Sequence, residues 1–90
     1  MRKNDYLVCY DISDPKRLSK LARFLEKRLV RIQYSIFYAP NMDKEEIYQL
    51  AQAIVDYIDP NEDDVRIYKI VDPGYSVGQA YDLSEIFIIR

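Results

Sequence analysis

The feature that most limits what this chain can fold into is a repeated apolar spacing. Leu18, Leu21, Ala22, Leu25 and Leu29 recur at offsets of 3, 4, 7 and 11, and Ile47, Leu50, Ala51, Ile54 and Ile58 recur at the same offsets. Positions three and four apart share a helix face, so the chain is expected to carry two amphipathic helices of matched design. Asp14-Pro15 supplies an N-cap and a proline at the first helical position, and Asp43 followed by Glu46 reads as a capping box. Asp59-Pro60 stops the second helix.

Each helix pattern lies between strand patterns. Residues 6–12 form a short run rich in Val, Ile, Leu and Tyr, and residues 65–71 form another. Residues 30–39 read as strand with a polar interruption at Gln33-Tyr34-Ser35, and so as one long strand or two short ones. Residues 61–64 make an acidic turn, and Asp72-Pro73-Gly74 ends the last strand. Two strand-helix-strand halves predict an α+β, ferredoxin-like βαββαβ sandwich over residues 1–72, with both helices on one face of a mainly antiparallel sheet. Residues 73–90 hold a polar connector and a strand-like end, Glu85-Ile86-Phe87-Ile88-Ile89-Arg90, with nothing assigned to pair with, which is expected to add an edge strand either to this sheet or to that of a partner protomer.

A chain of 90 residues buries a modest share of its surface, and dimerisation is a natural way to cover more. No apolar run approaches the roughly 20 residues of a membrane span, and no signal peptide is visible, so a cytoplasmic globular protein is expected. Cys9, the single cysteine, sits in an apolar segment and reads as a buried structural thiol. With no histidine in the chain, Ser-His-Asp and Cys-His catalysis and histidine-bound zinc are excluded. Chemistry must rest on carboxylates, hydroxyls, lysine, arginine or a metal.

The net charge of −2 hides an asymmetry: residues 1–38 carry nine Lys and Arg against four Asp and Glu, and residues 39–90 carry four against eleven. On a helical projection, Lys16, Lys20, Arg23, Lys27 and Arg31 fall opposite the first set of leucines, with Arg17 and Arg28 on one flank. Such a stripe is either a solvated helix face or a surface for a polyanion; only Glu26 offers local neutralisation.

Three motifs in order then resemble one family. Tyr10-Asp11-Ile12-Ser13-Asp14-Pro15-Lys16-Arg17 is similar to the Tyr-Asp-Ile-x-Asp-x-x-Arg motif of the CRISPR-associated Cas-two family of small adaptation proteins. Arg31-Ile32-Gln33-Tyr34-Ser35-Ile36-Phe37 resembles its Arg-Val-Gln-x-Ser-Val-Phe motif, and the acidic turn with Val65-Arg66-Ile67-Tyr68 resembles its segment before the last core strand. Two departures stand out: Arg28 replaces a glycine that ends the first helix in many members, and Tyr38 replaces a glutamate that commonly follows the phenylalanine.

The resemblance implies a symmetric homodimer acting in capture of new spacers, beside a CRISPR integrase subunit. It also implies a Mg²⁺-dependent endonuclease activity on RNA or DNA, with double-stranded DNA and single-stranded RNA as the nucleic-acid partners. Asp11 corresponds to the metal-binding aspartate, and paired Asp11 carboxylates from two protomers are expected to hold Mg²⁺; a turn or cap role is the alternative. Arg17 and Arg31 match arginines expected to clamp phosphates or stabilise transition-state charge, against a reading as plain surface charge. Tyr10 and Ser35 match motif positions as further catalytic candidates, while Phe37 is expected in the core. The expected nucleic-acid contacts are Lys16, Arg17, Lys20, Arg23, Lys27 and Arg31. The competing readings are a non-catalytic DNA-binding scaffold for the integrase, which needs the basic stripe but not Asp11, and a ligand-binding regulatory ferredoxin-like domain.

Overall fold

The computed structural model describes residues 2–71. They run in the order β1 (Asn4–Asp11), α1 (Pro15–Glu26), β2 (Val30–Gln33), β3 (Ile36–Met42), α2 (Lys44–Val55) and β4 (Asp64–Ile70). The strands form one sheet in the order β2-β3-β1-β4, with every neighbouring pair antiparallel. This is the expected βαββαβ arrangement; the connector and strand expected over 73–90 lie outside the described residues. Among the described residues, no helix is long and apolar enough to cross a membrane.

The helix starts follow the local chemistry. The Asp14 carboxylate accepts from the Arg17 N–H at 2.9 Å with Pro15 at the first helical position, and Asp43 and Glu46 close a reciprocal capping box at 2.8 and 2.9 Å. The end of α1 is built without a left-handed residue. Lys27 caps the helix in right-handed geometry, and the N–H groups of Arg28 and Leu29 both donate to the Leu25 carbonyl. Arg28, the departure from the family's glycine, folds its guanidinium back 4.0 Å over the Phe24 ring and donates to the Phe24 carbonyl at 3.1 Å. A cation there bonds a carbonyl of the last turn and complements the helix dipole.

The ambiguous stretch 30–39 is two strands. A tight hairpin at Tyr34-Ser35 sets Val30 opposite Tyr38 and Gln33 opposite Ile36. β3 then continues past Ala39, through Pro40, to Met42. A proline has no N–H for the ladder, and the chain accommodates it with a bulge. The register passes from Tyr6–Ala39 to Asn4–Met42, and Asn41 adopts φ 56° while its N–H donates to the Asp5 carboxylate at 2.9 Å.

The core lies between the helices and one sheet face. Tyr6, Val8 and Tyr10 alternate inward along β1 to meet Leu21 and Leu25 of α1, Phe37 and Ala39 of β3, and Leu50 and Ile54 of α2. Val8, Leu21, Leu25 and Phe37 have no exposed surface, which at about 1.5–3 kcal/mol for each large apolar side chain makes this cluster the main source of stability. Tyr38, next to Phe37 in the strand and so on the opposite face, is also closed to solvent.

Candidate functional site

β1 ends on Asp11, and the two turns that flank it in space come from distant parts of the chain. Tyr10 points into the core, so by strand alternation Asp11 points away from it, and its side chain is exposed. Its partner across the β1–β4 ladder is Asp64, whose carboxylate is taken by Arg66 Nε at 2.9 Å. The Asp11 side chain has no hydrogen bond or ion pair among the described residues. Nor is any group of three or more His, Cys, Asp or Glu side chains gathered there to hold a metal ion.

On the β3 side stands the Tyr34-Ser35 hairpin. The Tyr10 N–H donates to the Ser35 carbonyl at 3.1 Å, so Ser35 meets Tyr10 through its backbone. The Tyr10 ring is buried and stacks on Phe37 at 6.1 Å, and its hydroxyl reaches the Tyr34 carbonyl at 3.5 Å. Burial pushes the Tyr10 phenol above its ordinary range, with Arg31 pulling the other way. Arg31 donates to the same Tyr34 carbonyl at 2.9 Å and to Glu26 at 3.0 Å, and lies 5.2 Å over the Phe37 ring. Its Nε is closed off from solvent and has no hydrogen-bond partner among the described residues. Tyr10, Arg31 and Ser35 are thus brought together around one turn. The projection that put Arg31 on the helical stripe needs correcting: α1 stops at Glu26, and Arg31 belongs to β2.

On the β4 side, Arg17 meets the acidic turn. Its Nε donates to Asp63 Oδ2 at 2.8 Å, and its Nη2 donates to Asp63 Oδ1 at 3.2 Å and to Glu62 at 3.1 Å. Asp63 also accepts from the Ser13 N–H at 3.1 Å, the Ser13 hydroxyl at 3.2 Å and the Asp59 N–H at 2.8 Å. The Arg17 guanidinium, with those backbone donors, holds the Asp63 carboxyl well below the usual carboxylate range despite its burial, and Arg17 is raised in turn.

The six expected nucleic-acid contacts therefore divide. Arg17 and Arg31 spend their guanidinium groups on internal carboxylates, whereas Lys16, Lys20, Arg23 and Lys27 are exposed and without a partner among the described residues. Lys20, Arg23 and Lys27 line a groove of about 350 Å³ with Arg28, Phe24 and Tyr57, the two rings 4.8 Å apart. Asp63, Glu62 and Arg28 escape a reading of the sequence as site residues; the only signal for the first two is that an acidic turn and a motif arginine each need a partner. Cys9 is half-buried rather than buried, and desolvation raises its thiol away from nucleophilic use.

Comparison with known proteins agrees with the three motifs. The family model described as CRISPR associated protein Cas2 matches residues 4–76. A CRISPR-associated endoribonuclease Cas2 of Nitrosomonas europaea is 39% identical over 71 residues, 79% of this chain and 67% of that one. Among solved structures, a hypothetical protein from Thermus thermophilus superposes with a TM-score of 0.80 at 30% identity, covering 89% of this chain and 96% of that one. A chain of a partial Cas6-RT-Cas1–Cas2 complex superposes with a TM-score of 0.68 at 31% identity, covering 79% and 76%. With the fold, the motif order and these likenesses in agreement, this chain belongs to the CRISPR-associated Cas2 family.

Proposed function

We propose that this chain works in CRISPR adaptation as a homodimer that binds nucleic acid beside a Cas1 integrase, and that it cleaves phosphodiesters with Asp11 and Mg²⁺. The observation that carries the binding reading is the row of cations, Lys16, Lys20, Arg23 and Lys27, on the exposed face of α1, none of them paired among the described residues. Charges that spend nothing on internal partners are available to replace the counterions of a phosphate backbone. Membership of a family with a relative in a Cas1–Cas2 assembly supports the integrase partner, and the endoribonuclease name of the Nitrosomonas relative supports the nuclease.

Asp11 suits a metal ligand in being exposed and uncommitted, but among the described residues one protomer gathers no group of three such ligands, and the carboxylate across the ladder, Asp64, is taken by Arg66. The reading therefore requires Asp11 of a second copy, the two carboxylates holding a Mg²⁺ that keeps water in its shell. Bound there, the ion supplies polarisation of a phosphate and activation of a water. The chain's own part is to present Asp11 at the end of the central strand and cations to phosphates along α1.

The thin catalytic inventory favours a second reading, a DNA-binding scaffold without nuclease activity. The purified protein and Asp11→Ala are incubated with single-stranded RNA and double-stranded DNA, with Mg²⁺ or chelator, while solution mass is recorded. Metal-dependent cleavage by the wild-type dimer alone establishes the nuclease; no cleavage by either, with salt-sensitive duplex binding retained, leaves the scaffold.

A further inference from the structure

The two motif arginines are candidates for gripping phosphate, yet Arg17 is committed elsewhere. The inner edge of its fork is engaged: Nε and Nη2 bind the two oxygens of Asp63, and Nη2 also meets Glu62. The Asp63 side chain has no solvent exposure, and five hydrogen bonds converge on it. Releasing Arg17 to a substrate would strand that carboxylate, which a buried site resists strongly.

What this cluster fastens is the neighbourhood of Asp11. Ser13, two residues after Asp11, is held to Asp63 by backbone and side chain, and the Arg17 N–H binds the Asp14 cap. Asp63 in turn precedes Asp64, the ladder partner of Asp11. The loop leaving β1 and the turn entering β4 are tied together where Asp11 projects.

We infer that Arg17 and Asp63 are positioning residues that fix the β1–α1 loop and thereby aim Asp11, and that Arg17 makes no phosphate contact. The inference rests on the nuclease reading of Asp11. It assigns Asp63 a role in activity and removes Arg17 from the residues that touch nucleic acid.

The test compares wild type, Arg17→Gln, Asp63→Asn and the double variant for Mg²⁺-dependent cleavage of single-stranded RNA and for the salt dependence of duplex DNA binding. Each single variant is expected to lose about 10- to 100-fold in cleavage, as partners that orient a ligand usually do. The double variant is expected to lose no more than the worse single, and the slope of log affinity against log salt is expected to stay at the wild-type value in all three. An Arg17→Gln slope shallower by about 0.9, the mark of one phosphate no longer neutralised, overturns the inference, as does wild-type cleavage by Asp63→Asn. If the variants misfold, the wild type decides: the Arg17 Nε–H nitrogen resonance is expected to stay in place on saturation with duplex, and a shift overturns the inference. A wild type that neither binds nor cleaves overturns the functional reading and this inference with it; one that binds without cleaving leaves Asp11 nothing to be aimed for and overturns it too.

Discussion

Asp63 receives the Arg17 guanidinium side-on, Nε at 2.8 Å and Nη2 at 3.2 Å, across 46 residues of chain. Because the folded-state carboxyl titrates below its ordinary value, the pair's contribution is full above pH about 4 and is lost as pH falls through the acid range. Thermal melts of wild type and Asp63→Asn should therefore differ most at neutral pH and converge as the pH falls towards the folded-state value. A gap that persists unchanged in acid contradicts the pairing.

The core should respond to truncation much more than the helix surface does. Leu25 is fully buried and Tyr48 is 65% exposed. Urea unfolding of Leu25→Ala is expected to show a loss of about 2–5 kcal/mol, while Tyr48→Ala stays within about 0.5 kcal/mol of wild type.

Loss of the α2 cap should be visible on its own. Asp43→Ala removes the acceptor for the Glu46 N–H and is expected to cost about 0.5–2 kcal/mol in the same unfolding measurement. Asp43→Asn, which keeps an acceptor oxygen, should recover most of that loss.

At the bulge, Asn41 holds φ 56°, a conformation that asparagine and glycine tolerate and branched residues do not. Asn41→Val is expected to destabilise by about 1–2 kcal/mol and Asn41→Gly to be near neutral, read by thermal unfolding.

For binding, the uncommitted cations of α1 are the informative targets. Replacing Lys20, Arg23 and Lys27 together by glutamine should make the salt dependence of duplex binding shallower by about 0.9 for each phosphate they neutralise, with circular dichroism unchanged. An unaltered slope places the polyanion elsewhere.

What could be read from the sequence was what neighbours in the chain decide. Asp14-Pro15 and the Asp43–Glu46 box are contacts over three residues, and the leucine and isoleucine spacings are written within single helices, so both helices follow from local pattern. The hairpin at Tyr34-Ser35 was ambiguous because a polar pair inside an apolar run signals a bend and a turn alike. The bulge at Pro40-Asn41 was hidden, since its need arises only when β3 must stay in register with β1. Arg17 and Arg31 looked alike as motif cations; that one would meet Asp63 and the other Glu26 and the Tyr34 carbonyl depends on tertiary approach.

The sheet order bears on how the chain emerges during synthesis. β1 is central, flanked by β3 and β4, so within these residues the earliest strand made is completed only when residues 64–70 arrive. Until then one edge of an apolar strand waits without its ladder, and the pairings that close it span more than fifty residues, a slow, non-local step. The Ser13–Asp63 fastening forms only with that last pairing, so the end of the central strand that carries Asp11 is framed only at the end of folding: a chain halted before β4 holds the motif but not the site.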